Sequence, residues 1–358
     1  MTATPSRIRI HDVAARAGVS TATVSKVVNG RYGVAAATNE RVQRVIDELG
    51  YEPSLVARSL RSHRTNVIGI LVADLEPFSA ELLKGAARGI RGSGYELVVY
   101  SAGGRTNDQI GWERKYLTRL VGTLIDGAVI VTPTIVDPPG EVPVVAVDPH
   151  RGRTGTPTVD SDNLNGARMA TQHLLDLGHR RIGFVAGRKD LESSRLLEKG
   201  YRMALTVAGI AIDPELMEVG GYEQEFSETA AHALLVLHEP PSAIFASNDL
   251  SAIGVLAVAH SLGLDVPGDL SVVGFDNVPE SVLADPPLTT VNQPIQEMGQ
   301  RAVELLLSLL AGQPIEAEHL TLPTSLVVRQ STAPFRAVTL RRRNLLAKSA
   351  KGRSLARA

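Results

Sequence analysis

The chain has 358 residues and no cysteine. Disulfides and thiolate metal sites are excluded, and a reducing compartment is the natural setting. No apolar run approaches eighteen residues, so no membrane span is expected. The opening residues, MTATPSRIRIHDV, lack the apolar stretch of a signal peptide. A cytoplasmic, nucleoid-associated protein is therefore expected. Catalytic motifs are missing as well. There is no Walker loop, no Gly-x-Ser-x-Gly elbow and no His-Glu-x-x-His, and the nine histidines are scattered without ligand spacing. The stretch from Gly183 to Gly187 lacks the glycine spacing of a dinucleotide site. No enzyme, cofactor or metal site is expected.

Charge is nearly balanced overall, at a formal −1, but it is unevenly distributed. Residues 1–61 carry nine cations against five anions. Residues 336–358 carry eight cations and no anion, which leaves 62–335 at −13. Only the two ends attract a polyanion, and the middle repels it.

The basic N-terminal end contains IHDVAARAGVSTATVSKVVN over residues 10–29. Two apolar-periodic segments, 13–17 and 22–28, flank Gly18-Val19-Ser20. Gly18 can end one helix in a left-handed conformation, and Ser20 or Thr21 can cap the next. Val13, Ala14, Ala17, Val19, Val24 and Val27 form a shared apolar seam. Thr21, Ala22, Ser25 and Lys26 then face outward, where short hydroxyls, a small apolar group and a cation suit phosphates, thymine methyls and base edges. This is a helix-turn-helix with its recognition helix at about 21–28; an ordinary helical hairpin is the competing reading. A third helix is expected to start at Thr38 and to turn Val42, Val45, Ile46 and Leu49 inward.

These residues carry a closer resemblance. DVAARAGVSTATVSKVVNG, then Thr38-Asn39-Glu40-Arg41-Val42, Leu49-Gly50-Tyr51 and Pro53-Ser54-Leu55-Val56-Ala57-Arg58-Ser59-Leu60-Arg61, resemble the headpiece and hinge of the LacI/GalR repressors. The resemblance continues over roughly residues 7–332. It implies DNA contacts from Ser20, Thr21, Ala22, Thr23, Ser25, Lys26 and Asn29. It also implies a hinge helix at 54–61 that folds on DNA and wedges Leu60 into the minor groove beside Ala57.

From residue 67 the pattern alternates. Apolar, β-branched runs at 67–73, 96–101, 127–132, 142–148, 181–186, 243–247 and 271–275 read as strands. Segments 81–90, 112–120, 166–177, 196–207, 228–237 and 250–262 read as helices. Such alternation requires parallel sheets covered on both faces. The series restarts near Asp160, so two similar α/β subdomains are expected. The resemblance implies periplasmic-binding-protein subdomains joined by crossovers near 160, 291 and 320, with 296–310 returning to the first.

The expected organisation is a headpiece at 1–52, a hinge helix and linker at 53–66, and a body at 67–332. Within the body, 67–159 and 292–318 form one subdomain, and 160–291 and 319–332 the other. A basic, disordered tail at 333–358 completes the chain. It has no leucine heptads or apolar face for tetramerisation, and extra sequence-blind DNA contact is the sharper reading.

Ligands of open α/β sheets bind beyond the strand carboxyl ends. Asp74 and Phe78 follow the first strand, Asp148 ends the fourth, Ser247-Asn248-Asp249 the sixth and Asp276-Asn277 the seventh. Carboxylates, amides and an aromatic ring suit a hydroxyl-rich ligand, although each polar residue alone also reads as a helix cap or turn former. The resemblance implies effector contacts at Asp148, Asn248 and Asp276, with Tyr222 as the cleft aromatic. Where the family often has an arginine, this chain has Leu197, and Arg195 is the candidate substitute. His179 reads as a structural turn residue.

The expectation is a homodimeric repressor of a pseudo-palindromic double-stranded operator, controlled by a small effector of carbohydrate type. The alternatives are a sugar-binding transport protein, and a regulator that answers a nucleobase or a protein corepressor.

Overall fold

The computed structural model describes residues 8–30, 32–51, 64–103, 111–134, 142–152, 155–315 and 317–336. The hinge segment with Ala57 and Leu60, and the tail beyond 336, lie outside the described residues. The chain divides into two compact units, residues 1–65 with 120–125, and the remainder.

The first unit is built on three helices, α1 (Ile10–Ala17), α2 (Thr21–Val28) and α3 (Ala36–Leu49). Gly18, at φ 64°, ends α1. Ser20 caps α2, its hydroxyl accepting the Thr23 N–H at 3.1 Å. Val13, Ala14, Ala17, Val24, Val27, Val42 and Val45 are buried together, with Val19, Ile46 and Leu49 packed against them. Helix α3 begins two residues before the predicted Thr38. Its cap is Ala35, which makes no side-chain bond. Alanines 36 and 37 favour the helix strongly enough to extend it past the apparent capping residue.

The second unit holds two six-stranded sheets. The first lobe contains β1 (Val67–Val72), β2 (Glu96–Ser101), β3 (Gly127–Val131), β4 (Val144–Val147) and β5 (Thr158–Ser161), with α4 (Pro77–Gly89) and α5 (Trp112–Leu120). The second lobe contains α6 (Asn163–Asp176), β6 (Ile182–Ala186), α7 (Glu192–Val207), β7 (Met217–Val219), α8 (Gln224–Leu235), β8 (Ala243–Ala246), α9 (Asp249–Ser261), β9 (Ser271–Asp276), the short α10 (Pro279–Leu283) and β10 (Thr289–Asn292). The chain then returns to the first lobe as α11 (Ile295–Leu310) and β11 (His319–Leu322), and ends in the second as β12 (Ser325–Val327).

The sheet orders are β11-β5-β4-β3-β1-β2 and β12-β10-β9-β8-β6-β7. Within each lobe the order is the same doubly wound one, restarted after β5. All pairings are parallel except β10 with β12. The chain crosses between lobes after Ser161, Asn292 and Leu322.

Central strand residues such as those of β1, β3, β4, β6 and β8 alternate between two covered faces, so their positions are almost all apolar. Phe184, Phe245 and Phe275 face α6 and α7, whereas Val185, Ile244 and Val272 face α8 and α9. Phe184 stacks on Tyr201 with ring centroids 4.9 Å apart. The segment from 333, expected to begin the tail, still packs on the second lobe as far as Phe335. The Phe335 N–H donates to the Leu177 carbonyl at 2.7 Å, and its ring meets the buried His179 edge-on. The backbone bonds left open by β9 and α6 capture it.

Helices α4 and α11 touch backbone to backbone. A Cβ on Gly299 would lie 2.1 Å from the Leu82 carbonyl oxygen, and one on Gly85 only 1.7 Å from that of Gln296. Neither neighbour is a movable side-chain end. Gly299→Ala should therefore destabilise the body by roughly 1–3 kcal/mol or more through overpacking. Urea unfolding checks this: the midpoint of the body falls, and an unchanged midpoint would show that the helices separate freely.

Candidate functional site

On α2, Ala22, Lys26 and Asn29 are exposed at successive turns of one face. Ser20 is also exposed, but its hydroxyl is engaged in the cap. Thr21, Thr23 and Ser25 are half-buried. Asn29 closes the helix, its Nδ2 donating to the Ser25 carbonyl at 2.5 Å. Of the four residues expected to face outward, Ala22 and Lys26 are exposed, whereas Thr21 and Ser25 are partly covered.

In the body, the carboxyl ends of both sheets face a cavity of about 500 Å³ between the lobes. Phe78, Asp148, Tyr222, Asn248 and Asp276 all line it, together with Asp74. Four non-glycine lining residues hold left-handed backbone: Thr132 (φ 45°), Asp148 (φ 47°), Tyr222 (φ 71°) and Asp276 (φ 110°). Such conformations are costly for residues with a Cβ, most of all for β-branched Thr132, and they cluster at binding sites.

Each polar group has a placing partner. Glu76 caps α4, accepting the N–H groups of Phe78 (2.7 Å) and Ser79 (2.9 Å). Asn248 caps α9 through the Ser251 N–H at 2.8 Å, and its Nδ2 donates to the Tyr222 carbonyl at 3.2 Å. Asn248 is thus both helix cap and cavity wall. Gln293, on the second crossing, donates to Asp276 at 2.6 Å and accepts from Ser161, on the first, at 2.5 Å. Behind them Asp249 is fully buried, accepting from Thr290 Oγ1 (2.6 Å) and the Val278 N–H (2.9 Å).

Arg195 does not join this set. Nearly half of its side chain is exposed, paired with Glu192 at 2.7 Å, and it donates to the backbone carbonyls of His150 (3.2 Å), Lys189 and Asp190 (both 3.4 Å). Its place on α7 turns it away from the cavity, while Leu197 is turned inward. The lining cation is Arg188, already forked onto Asp190 at 2.7 and 3.1 Å. Among the described lining residues it is the only Lys or Arg. His150, from the first lobe, clasps the second: its Nδ1 lies 3.3 Å from Asp190, and its carbonyl accepts the Glu192 N–H at 3.0 Å. Sequence reasoning missed Glu76, His150, Arg188, Ser193 and Gln293, which lie in helix first turns and connections without apolar periodicity.

Burial raises the acids. It pushes Asp148 up to about 7, against a hydrogen bond from Ser193 and with added repulsion from Asp160 and Glu192. Burial likewise lifts Asp249 to about 7. Asp276 stands well above the carboxylate range, first from burial and then from repulsion by Asp249. Glu76 is raised by burial. Burial drives His150 down to about 4.

A helical DNA-binding head joined to a two-lobed body with an acceptor-lined interlobe cavity defines a ligand-responsive DNA-binding regulator. Residues 9–54 match the bacterial regulatory proteins of the lacI family, and 171–332 match a periplasmic binding protein-like domain. The transcriptional regulator CelR of Thermobifida fusca is 37% identical, over 89% of this chain and 96% of its own. A CelR–cellobiose complex shares 34% identity at a TM-score of 0.68, covering 91% of this chain and all of that one. A lac repressor dimer bound to operator and the anti-inducer ONPF superposes at 0.78, with 28% identity and coverage of 91% and 99%. The chain belongs to the LacI family of bacterial regulatory proteins.

The raised acids predict a pH dependence. A carboxyl whose folded pKa exceeds its unfolded value adds stability fully below the unfolded value, and that stability is lost as pH rises through the folded one. For Asp148 the window runs from 3.8 to about 7. His150 acts oppositely, but only below its unfolded value of 6.5. Above 6.5 only the acids act, so the unliganded protein should melt lower as pH rises through about 7, where the Asp148 share of the slope ends. Asp148→Asn should flatten that slope and raise the melting temperature at pH 8.5 by a few degrees, at about 2–4 °C per kcal/mol. Parallel slopes for parent and variant in differential scanning calorimetry would refute the assignment.

Proposed function

We propose that this chain is a dimeric repressor of a pseudo-palindromic operator whose affinity is set by a carbohydrate in the interlobe cavity. The observation that carries the ligand class is the lining. Glu76, Asp148, Asn248 and Asp276 offer acceptors for hydroxyl donors, and Phe78 and Tyr222 offer ring faces. Cellobiose in the related CelR complex points the same way.

Thr21, Ala22 and Lys26 read bases from the recognition helix, with Ser20, Thr23, Ser25 and Asn29 placing it on phosphates. Residues 53–66 link head to body, and the hinge with Ala57 and Leu60 enters the minor groove between the two subunits. Dimerisation follows the lac repressor dimer. The protein works in the cytoplasm, on chromosomal DNA, and catalyses no reaction. A transport protein has no use for the headpiece; a nucleobase would use the same ring faces and acceptors, and the cellobiose of the related CelR complex favours the sugar.

The mechanism is a coupling free energy between two sites. The ligand bridges Asp148 of the first lobe and Asp276 of the second, altering closure and so the spacing of the two hinges. Asp276→Ala should abolish the sugar response while leaving operator affinity within about twofold. Removing one buried hydrogen-bonding partner costs about 1–3 kcal/mol in ligand affinity. Gel-shift titrations with and without sugar test this. Joint loss of operator binding would make Asp276 a structural residue instead.

A further inference from the structure

Asp276 reaches the cavity from a strained turn. It and Asn277 are consecutive non-glycine residues with left-handed backbone, at φ 110° and 61°. An asparagine in that conformation commonly bonds its own backbone. Asn277 spends its amide elsewhere. Its Nδ2 donates to Asn292 Oδ1 at 2.9 Å, and its Oδ1 accepts from Arg329 Nη2 at 2.6 Å. On either side, the Asp276 carbonyl accepts the Gln293 N–H at 3.2 Å, and the Val278 N–H donates to Asp249 at 2.9 Å.

Arg329 is half-buried, yet among the described residues its guanidinium bonds only uncharged acceptors. Besides Asn277 these are the Leu288 carbonyl at 2.6 Å and the Ser281 hydroxyl at 3.3 Å. Its backbone N–H donates to Thr289 Oγ1 at 2.9 Å. A planar fork holds two fixed acceptors at once, which a point charge on a flexible stem does poorly. The fork here ties the turn after β9 to the chain entering β10.

These bonds join the turn to all three crossings. Arg329 lies two residues beyond β12, on the segment that follows the third crossing. Asn292 ends β10 at the second, where Gln293 holds both Asp276 and Ser161 of the first. We propose that Arg329 is a positioning residue of the effector site: through Asn277 it holds the Asp276 carboxyl toward the cavity and ties it to the third crossing. Arg329 does not itself line the cavity. The inference rests on the reading of Asp276 as an effector contact.

Two variants separate this role from simple support. Arg329→Lys keeps the charge and loses the fork. Asn277→Gly removes the amide but relieves the left-handed backbone, so the turn can still form. The full-length proteins are labelled with carbon-13 at the aspartate carboxyls, and Asp276 is assigned from the signal missing in Asp276→Asn. Burial, with repulsion from Asp249, Glu76 and Asp148, keeps Asp276 well above the carboxylate range against the Gln293 bond. A carboxyl released from its place loses that burial. In both unliganded variants the Asp276 midpoint should fall by about one pH unit or more, while that of Asp148, in the other lobe, holds. Cellobiose, maltose, glucose and galactose are then titrated by calorimetry. A sugar that binds the parent should bind each variant about fivefold or more weakly. A merely structural arginine would lower the melting temperature of both variants and move neither readout. A parental Asp276 midpoint, or parental sugar affinity, in either variant would overturn the proposal. Failure of every sugar to bind the parent would overturn the carbohydrate reading alone, and the midpoint would still decide the role of Arg329.

Discussion

The body is organised around carboxylates that face a shared cavity whose one described Lys or Arg, Arg188, is committed to Asp190. Asp148 directly follows β4 in one lobe and Asp276 ends β9 in the other, with Asp249 buried behind Asp276. Moving a carboxylate out of water favours its protonated form unless donors replace the water. The protein supplies some donors, from Ser193 to Asp148 and from Gln293 to Asp276. The remaining demand is for hydroxyl groups from a ligand that reaches both lobes.

Three chain crossings make that demand mechanical. Ser161 and Gln293, on the first two crossings, are bonded to each other, and Gln293 holds Asp276. A change of lobe angle therefore moves the crossings and an acid together. The His150 clasp to Asp190 and Glu192 closes one side of the cavity across the lobes. Burial keeps that histidine neutral through the physiological range, so the clasp does not depend on its charge. Helices α4 and α11 meet at glycines, so the returning helix seats as a rigid part of the first lobe.

Much of this was legible in the amino-acid pattern, and the misses have a common cause. Seven strands announce themselves as apolar runs, six of them covered on both faces and the edge strand β2 partly exposed. The five that do not, β5, β7, β10, β11 and β12, are three- or four-residue segments such as TVDS and TTVN at crossings and edges, too short and polar to show. Helices α4, α6, α7 and α8 each begin three or four residues before the apolar periodicity does. Their first turns hold Phe78 and Ser79, Asn163, Ser193 and Gln224, all cavity-lining. Periodicity fails there because those turns face a ligand site rather than the core. Arg195 was the converse error: a cation of the right type near the right place, but on the wrong face of α7. The hinge and tail lie outside the described residues.

The most direct measurement is the ionisation of Asp148 itself, read by carbon-13 NMR of selectively labelled aspartate carboxyls in the unliganded and sugar-saturated protein. A cavity short of donors requires Asp148 to titrate near 7 without ligand. It should titrate well below that with ligand, because hydroxyl donors favour the ionised form. An unliganded Asp148 titrating near 3.8, or a value unmoved by a bound sugar, would contradict the claim that these carboxylates are built to receive hydroxyl groups.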